Sequence, residues 1–358
     1  MARTKTYLIL TYGCQMNKND SEHLAGMFEF QGLKPAENIE QANLVVLNTC
    51  SVREKSERKV FGKLHELNHL RKKKKLQMEL GITGCMPKRD VEFIKQEVPF
   101  LDHFIDIDDA RHYPLKRSHS DQAWVSIMYG CDNFCSYCVV PYTRGRERSR
   151  PVDDILKEIA EIDSTKFPRV MLLGQNVNSY KSHSPHKDGS RLTTHDSPFS
   201  IDFADLLKRV HKIDTVKEIE FLTSHPKDMT DKLIDTLAAL PKMGTEVHFP
   251  LQAGNDRILK LMNRGYTYAH YKDLVVKTRK KMPQVKISTD IIAGFPSETE
   301  SEFEDSLNAI RELKFSRVNT AAFSPRPGTK AAELPDQLPL KIRAQRLQQL
   351  MAVVDQTK

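Results

Sequence analysis

Three cysteines, Cys14, Cys50 and Cys85, stand 36 and 35 residues apart in a chain of 358 residues. Each follows an apolar run, over residues 7–11 (YLILT), 43–48 (NLVVLN) and 76–83 (LQMELGIT). The interval matches one strand with its returning helix. Helices are expected over 21–31, with Leu24, Met27 and Phe28 on one face, and over 53–70, with Val60, Phe61, Leu64 and Leu67 together. A further helix over 90–97 leads to a short strand at 103–107. Right-handed crossovers make such strands parallel and bring their carboxyl ends to one edge, where open α/β sheets bind ligands. One cysteine in such a place is ordinarily a small buried hydrophobe. Three at equivalent places predict a shared site, and soft thiolates select iron–sulfur or zinc. The reading here is an auxiliary iron–sulfur cluster with three protein ligands.

Residues 108–120 (DDARHYPLKRSHS) are polar and contain a proline, which marks a linker. Beyond it, strands are expected at 123–128, 169–173, 218–222, 246–249, 286–292 and 318–323. Helices are expected at 152–162, 201–211, 227–239, 267–281 and 300–313, with a last one over 340–356. The fold class is therefore α/β: an open parallel sheet of Rossmann or flavodoxin type, then a partial (β/α)6 barrel. Barrel active sites sit at the carboxyl ends of the strands.

The first barrel strand runs into Tyr129–Arg150, YGCDNFCSYCVVPYTRGRERSR, which holds Cys131, Cys135 and Cys138. Three thiolates at this spacing can hold a 4Fe–4S cube and leave one iron open beside Tyr137. Zinc requires a fourth ligand, and no Cys or His stands at finger or ribbon spacing nearby. The other strand ends carry GQNVNSY from Gly174, TSHP from Thr223, PLQAGN from Pro250, DIIAGFP from Asp290 and SPRPGT from Ser324. A lone amide or serine in a loop is usually a turn residue, but five such segments in succession read as a pocket. Within it, Gly174, Gly254 and Gly294 would permit close backbone approach to a ligand. Residues 181–200 are polar and read as a mobile excursion whose histidines are solvated.

About two-fifths of the chain is apolar, without a run long enough to span a membrane. The apolar start, YLILTYG, meets a Gly-Cys turn instead of a cleavage site, so it reads as a first strand and not a signal peptide. A cytoplasmic location with reduced thiols is expected. Lys and Arg exceed Asp and Glu by 55 to 47, which is compatible with nucleic acid. The excess is placed in the run 71–75 and in Arg144, Arg146, Arg148 and Arg150 directly after the cysteine motif. Arginines there suit phosphate contacts that position an anionic substrate.

The motifs TYGCQMN, NTCSVREKSE, GCMPKR, VVPYTRGRE, LLGQNVNSY, TSHP and FSPRPGT, taken with the Cys131/Cys135/Cys138 loop, make the chain resemble the MiaB-type radical S-adenosylmethionine (SAM) methylthiotransferases over nearly its full length. The resemblance implies residues 1–116 as a methylthiotransferase domain and 117–350 as a radical SAM core. Residues 351–358 close the last helix, and the family's C-terminal TRAM domain has no counterpart in them. It implies two 4Fe–4S clusters, on Cys14/Cys50/Cys85 and on Cys131/Cys135/Cys138. It also implies SAM contacts from Tyr137, Gly174, Gln175, Asn176, Ser224, Gln252, Asp290 and Gly294, and tRNA contacts from Arg144, Arg146, Arg148 and Arg326. PLQAGN departs from the family pattern in having Ala253 where serine is common.

The implied reaction places sulfur and a methyl group on carbon 2 of isopentenyladenosine beside the anticodon of tRNA, using two SAM. The implied partners are tRNA carrying isopentenyladenosine, a flavodoxin- or ferredoxin-like electron donor and a sulfur donor, with no membrane and a monomeric protein. The alternatives are threonylcarbamoyl-adenosine in tRNA, or a ribosomal protein, as substrate. An electron-transfer protein would account for the cysteines but not for the polar strand ends.

Overall fold

In the computed structural model, which describes residues 5–51, 54–118, 121–183 and 200–357, the chain separates into two compact units. One comprises residues 1–119 with 139–145, and the other residues 120–138 with 146–358. The segment 139–145 thus clusters with the first unit, although a boundary drawn at residue 116 puts it in the second.

The first unit runs β1 (Thr6–Thr11), α1 (Gln15–Phe30), β2 (Lys34–Pro35), β3 (Leu44–Thr49), α2 (Glu54–Lys73), β4 (Glu79–Gly84), α3 (Cys85–Arg89), α4 (Val91–Glu97), β5 (His103–Phe104) and α5 (Ile107–Ala110). To these the segment 139–145 adds α6 (Val140–Arg144), which packs on α3. The sheet order is β2-β1-β3-β4-β5 with every pairing parallel. Alternate residues of a strand face opposite sides. Val45 and Leu47 of β3 accordingly pack with Val60, Leu64 and Leu67 of α2, while Val46 packs with Tyr7, Leu24, Met27 and Phe28. Each fully buried leucine here contributes about 1.5–3 kcal/mol of transfer free energy.

Three local features depart from expectation. The first helix begins at Gln15 instead of near residue 21, because Asn17, Asn19 and Asp20, which read as loop, are buried on it. The third strand begins at Glu79 and not at 76. Lys75 takes a left-handed φ of 53° and the Leu76 N–H returns to the Arg71 carbonyl at 2.9 Å, a helix-ending turn. The stretch read as a linker lies along α1: the Lys116 N–H donates to the Glu22 carbonyl at 3.2 Å and the Ser118 N–H to Glu22 Oε1 at 2.7 Å.

The second unit begins with β6 (Gln122–Ser126), β7 (Met128–Tyr129), β8 (Arg148–Ser149), α7 (Val152–Ala160), β9 (Arg169–Leu173), β10 (Lys181–His183) and β11 (Ser200–Asp202). It continues through α8 (Phe203–His211), β12 (Glu218–Phe221), α9 (Asp231–Ala239), β13 (Glu246–His248), α10 (Asp256–Leu261), α11 (Tyr268–Lys281) and β14 (Lys286–Ala293). The last elements are α12 (Glu300–Leu313), β15 (Arg317–Ala322), α13 (Lys330–Glu333) and α14 (Leu340–Gln356). Strands β6, β9 and β12 form one parallel sheet, and β13, β14 and β15 another. A parallel bridge between Ile219 and Met243 joins them, which completes the six-stranded partial barrel.

Amphipathic helices cover these strands with Ile155 and Ile159, Phe203 and Leu206, Leu233 and Leu237, Tyr271 and Leu274, and Phe303 and Ile310. Side chains of Asp202, Thr230, Thr267 and Thr299 cap four of the helices. The excursion after Tyr180 leaves and returns through the antiparallel pair β10–β11. Its residues 184–199, with His186 and His195, lie outside the described residues.

Candidate functional site

Cys14, Cys50 and Cys85 follow β1, β3 and β4, three adjacent parallel strands, so the sheet edge gathers them. Cys14 precedes the first turn of α1, Cys50 comes directly after β3, and Cys85 opens α3. A fully buried polar lattice ties the three strand ends together. Asn17 Nδ2 donates to Asn48 Oδ1 at 3.1 Å and to the Thr49 carbonyl at 3.0 Å. Asn48 Nδ2 answers to the Asn17 carbonyl at 2.7 Å, and Thr49 Oγ1 donates to the Thr83 carbonyl at 2.6 Å. The Cys14 N–H donates to Asn17 Oδ1 at 3.3 Å. Two glycines let the ends close: a Cβ on Gly13 would stand 2.7 Å from Cys50 Cβ, and one on Gly84 2.7 Å from Asn48 Oδ1.

Arg144, at the end of α6, is the charged member of this site. Its Nη2 donates to Asp20 Oδ2 at 2.8 Å, while Arg111 Nη2 reaches Asp20 Oδ1 at 3.2 Å. Burial works against the Asp20 carboxylate, but the two guanidinium groups hold its pKa below the ordinary range. Burial likewise works against the Arg144 cation, which Asp20, then Cys85 and Cys14, more than restore. Cys14 is exposed along one side. Protein on its other sides desolvates the thiol and raises its pKa, against the pull of Arg144. The expected role of Arg144 as an open phosphate contact does not match this placement, because its guanidinium is committed to Asp20.

In the second unit, Cys131, Cys135 and Cys138 lie on the loop after β7, with Cys131 buried and the other two half-buried. Burial pushes the Cys131 thiol up to about 11, opposed by hydrogen bonding from Asn133. The residues after α10 clamp the loop. The Ser136 N–H donates to the Met262 carbonyl at 3.0 Å, and Asn263 Nδ2 donates to the carbonyls of Asn133 and Phe134 at 3.2 and 3.0 Å. Arg264 Nη1 lies 3.3 Å from Cys135 Sγ and 3.4 Å from Tyr137 Oη. His225 Nδ1 accepts the Lys227 N–H at 3.3 Å. Its ring, neutral because burial, Arg264 and Lys227 lower its pKa to about 2, therefore carries its proton on Nε2, 4.0 Å from Cys135 Sγ. Among the described residues no three Cys, His, Asp or Glu converge on a single-ion position. A four-iron cube binds each cysteine through a different iron, so its ligands need no common point. Two sets of three soft thiol donors, without a fourth, fit two such clusters.

The remaining expected residues sit on neighbouring strand ends. Tyr137 packs with Ala253, Ile258, Phe295 and Phe323. Ser224 Oγ donates to the His248 carbonyl. Asn176 Nδ2 donates to Asp228 Oδ2 at 2.7 Å. Asp290 accepts from Asn319 Nδ2 at 2.9 Å and meets His248 Nε2 at 3.1 Å. Burial opposes its charge most, but His248, Asn319 and Arg264 together outweigh it and lower the pKa. Gln252 takes φ 77° and bridges to Ile291. Buried Gln175 Oε1, Asn176 Oδ1, Gln252 Oε1 and both side-chain polar atoms of Asn178 have no hydrogen-bond partner. Orphaned polar atoms are costly, and a ligand rich in hydrogen-bonding groups, as SAM is, suits them.

The glycines serve differently from the expectation of ligand approach. Cβ atoms on Gly174, Gly254 and Gly294 would strike Met128, the Asp305–Ser306 backbone and Arg343, so these glycines permit protein packing. Arg146 is exposed and forms a two-pronged pair with Asp132 at 2.7 and 3.1 Å. Arg148 is exposed on β8, and Arg326 is buried. Sequence reasoning passed over Arg264, Asn17, Asn48 and Asp20, which carry no motif spacing. In the sequence, His225 is marked only by its place in TSHP.

A cysteine loop of this kind at the mouth of six parallel strands defines a radical SAM enzyme, and residues 125–310 match the Radical SAM superfamily. Residues 6–106 match an uncharacterized protein family, UPF0004. The chain belongs to the tRNA-2-methylthio-N(6)-dimethylallyladenosine synthase family. It is 44% identical over 365 residues to the synthase of Dictyoglomus thermophilum, covering 94% of this chain and 80% of that one. It is 41% identical to that of Moorella thermoacetica, covering 97% and 82%. Among solved structures, the radical SAM methyltransferase TsrM from Kitasatospora setae, with cobalamin and a [4Fe-4S] cluster bound, superposes with a TM-score of 0.61 at 12% identity, covering 92% of this chain and 77% of that one. The cobalamin-dependent radical SAM enzyme OxsB gives 0.56 at 9% identity, covering 98% and 56%. At those identities the likeness is one of fold.

Proposed function

We propose that this chain converts N6-isopentenyladenosine (dimethylallyladenosine) next to the anticodon of tRNA to its 2-methylthio derivative, consuming two SAM. The observation that carries the reading is the pair of three-cysteine sets, each at the carboxyl ends of parallel strands, in a chain with near full-length kinship to synthases of that name. Cys131, Cys135 and Cys138 would hold one 4Fe–4S cluster and Cys14, Cys50 and Cys85 the other. Bound there, the first supplies reductive cleavage of SAM and the second presents the sulfur that is transferred.

The protein's own work is orientation and exclusion. The Met262–Arg264 clamp holds the Cys135–Cys138 turn. Gln175, Asn176 and Gln252 offer unmatched hydrogen-bonding atoms to SAM, and Tyr137, among Ala253, Phe295 and Phe323, makes one apolar wall that keeps water out. Asn17, Asn48 and Thr49 hold the other three cysteines in register. Exposed Arg146 and Arg148 supply cations for the tRNA backbone. The reading includes a low-potential electron donor, a sulfur donor and a monomer acting in the cytoplasm. No described helix is long and apolar enough to cross a membrane.

The test is nucleoside mass spectrometry after anaerobic reaction of reconstituted protein with SAM, a strong reductant and tRNA bearing isopentenyladenosine. The expected outcome is the 2-methylthio nucleoside. Product only with threonylcarbamoyl-adenosine tRNA or a ribosomal protein would replace the substrate. Absence of both product and SAM cleavage, with clusters present, would refute the reading.

A further inference from the structure

Arg264 is only 4% exposed, and every one of its hydrogen bonds goes to a neutral acceptor or to a cysteine. Nη2 donates to the Pro250 carbonyl at 2.9 Å, Nε to Tyr266 Oη at 3.0 Å, and Nη1 faces Cys135 Sγ at 3.3 Å and Tyr137 Oη at 3.4 Å. The guanidinium also lies over the Tyr266 ring, 5.3 Å from its centroid. Two other buried arginines behave differently. Arg144 meets Asp20 at 2.8 Å, and Arg346 meets Glu298 at 2.8 Å and Glu300 at 3.0 Å. Asp290 lies within electrostatic reach of Arg264, but its two oxygens are engaged by Asn319 and His248. A buried cation needs a compensating anion, and the cysteine that Arg264 already faces at 3.3 Å becomes an anionic ligand when it binds iron.

We propose that Arg264 is the counter-cation of the Cys131/Cys135/Cys138 cluster and raises its reduction potential through the hydrogen bond to Cys135 Sγ. The inference rests on the reading of those three cysteines as cluster ligands. Three thiolates around a doubly positive 4Fe–4S core leave a net single negative charge, and one electron taken from a low-potential donor makes it double. A fixed guanidinium touching a ligand sulfur favours the more negative state, since net charge, hydrogen bonds to sulfur and exposure set cluster potentials. The sequence around Arg264 serves this placement. Asn263 takes φ 57° and Gly265 φ 68°, and the Asn263 amide and Met262 carbonyl grip the loop that carries Cys135. Arg264 is thus a positioning and tuning residue, tied to the cluster loop through its immediate chain neighbours.

The test is an EPR-monitored redox titration with dithionite and mediators, without SAM. It uses the full chain with Cys14, Cys50 and Cys85 changed to alanine, so that one cluster is read. Arg264→Gln is expected to lower the one-electron reduction equilibrium constant at least about tenfold, which is about 59 mV more negative, while Arg264→Lys retains most of the parent value. An Arg264→Gln constant within about threefold of the parent overturns the proposal. So does a shift seen only when SAM is added, which would pair Arg264 with the SAM carboxylate. If Arg264→Gln fails to take up iron while Arg264→Lys succeeds, charge is the cause and the proposal stands. If both fail, shape is the cause and it falls. A parent chain that binds no cluster would instead refute the ligand assignment itself.

Discussion

Replacing Gly84 with alanine isolates the backbone geometry that brings Cys85 to the edge of the first sheet. Gly84 holds φ 91° and ψ −147°, a combination essentially confined to glycine, and imposing it on alanine costs about 1–3 kcal/mol. The new methyl would also stand 2.7 Å from Asn48 Oδ1 and press on the Thr49 backbone. Neither neighbour can yield freely, because the Asn48 amide is bound to Asn17 and Ser21 and the Thr49 carbonyl to Asn17. Overpacking of that kind adds about 1–3 kcal/mol. The sum, about 2–6 kcal/mol, corresponds to a fall in opening protection of roughly 30-fold to 20,000-fold.

Amide hydrogen exchange read on peptides covering β1, β3 and β4 measures this directly. The chain has one tryptophan, and Trp124 lies on β6 of the second unit, so its fluorescence serves as a control that the rest of the variant remains folded. Iron bound per reconstituted chain should fall toward half as Cys85 loses its place. Protection of β3 and β4 within about threefold of the parent, with full iron, would show that the cysteine edge does not depend on a glycine there and would refute the reasoning.

Asp20→Asn leaves Arg144 and Arg111 without their shared carboxylate, and should destabilise the first unit by about 3–5 kcal/mol, read as lost exchange protection in α1 and α3. Because the folded Asp20 pKa is lowered, its contribution is present above the unfolded value of about 3.9 and is lost as pH falls through that value toward the folded one. The parent's thermal midpoint should therefore drop more steeply than the variant's below about pH 4. Arg148→Ala should leave the unfolding midpoint within about 0.5 kcal/mol of the parent, yet weaken tRNA binding and reduce the slope of log affinity against log salt by about one. An unchanged slope would remove Arg148 from the tRNA surface. Cys14→Ala should still cleave SAM but yield no methylthio nucleoside by mass spectrometry, and product from this variant would sink the two-cluster assignment.

Periodicity carried the strand–helix alternation because burial imposes it locally: Val45, Val46 and Leu47 alternate between two cores, and Leu64 and Leu67 recur on one helix face. The two cysteine sets were legible for the same reason, since their spacing repeats the length of a structural unit or fits one cluster loop. Buried polar positions were not. Asn17, Asn19 and Asp20 have loop composition, and only partners distant in sequence, such as Asn48 and Arg144, satisfy them inside a helix. Residues 108–120 read as a solvated linker, although Glu22 binds their backbone.

The sequence by itself determined the class of fold, the six cysteines and the family, because those depend on patterns repeated along the chain. Tertiary structure alone decided which polar groups act with them. It set Arg264 against Cys135 at a sequence separation of 129 and committed Arg144 to Asp20 at a separation of 124. It also turned Gly174, Gly254 and Gly294 to packing. A charge, an amide or a missing Cβ acquires its role from whatever lies a few ångströms away, and no local periodicity encodes that neighbour.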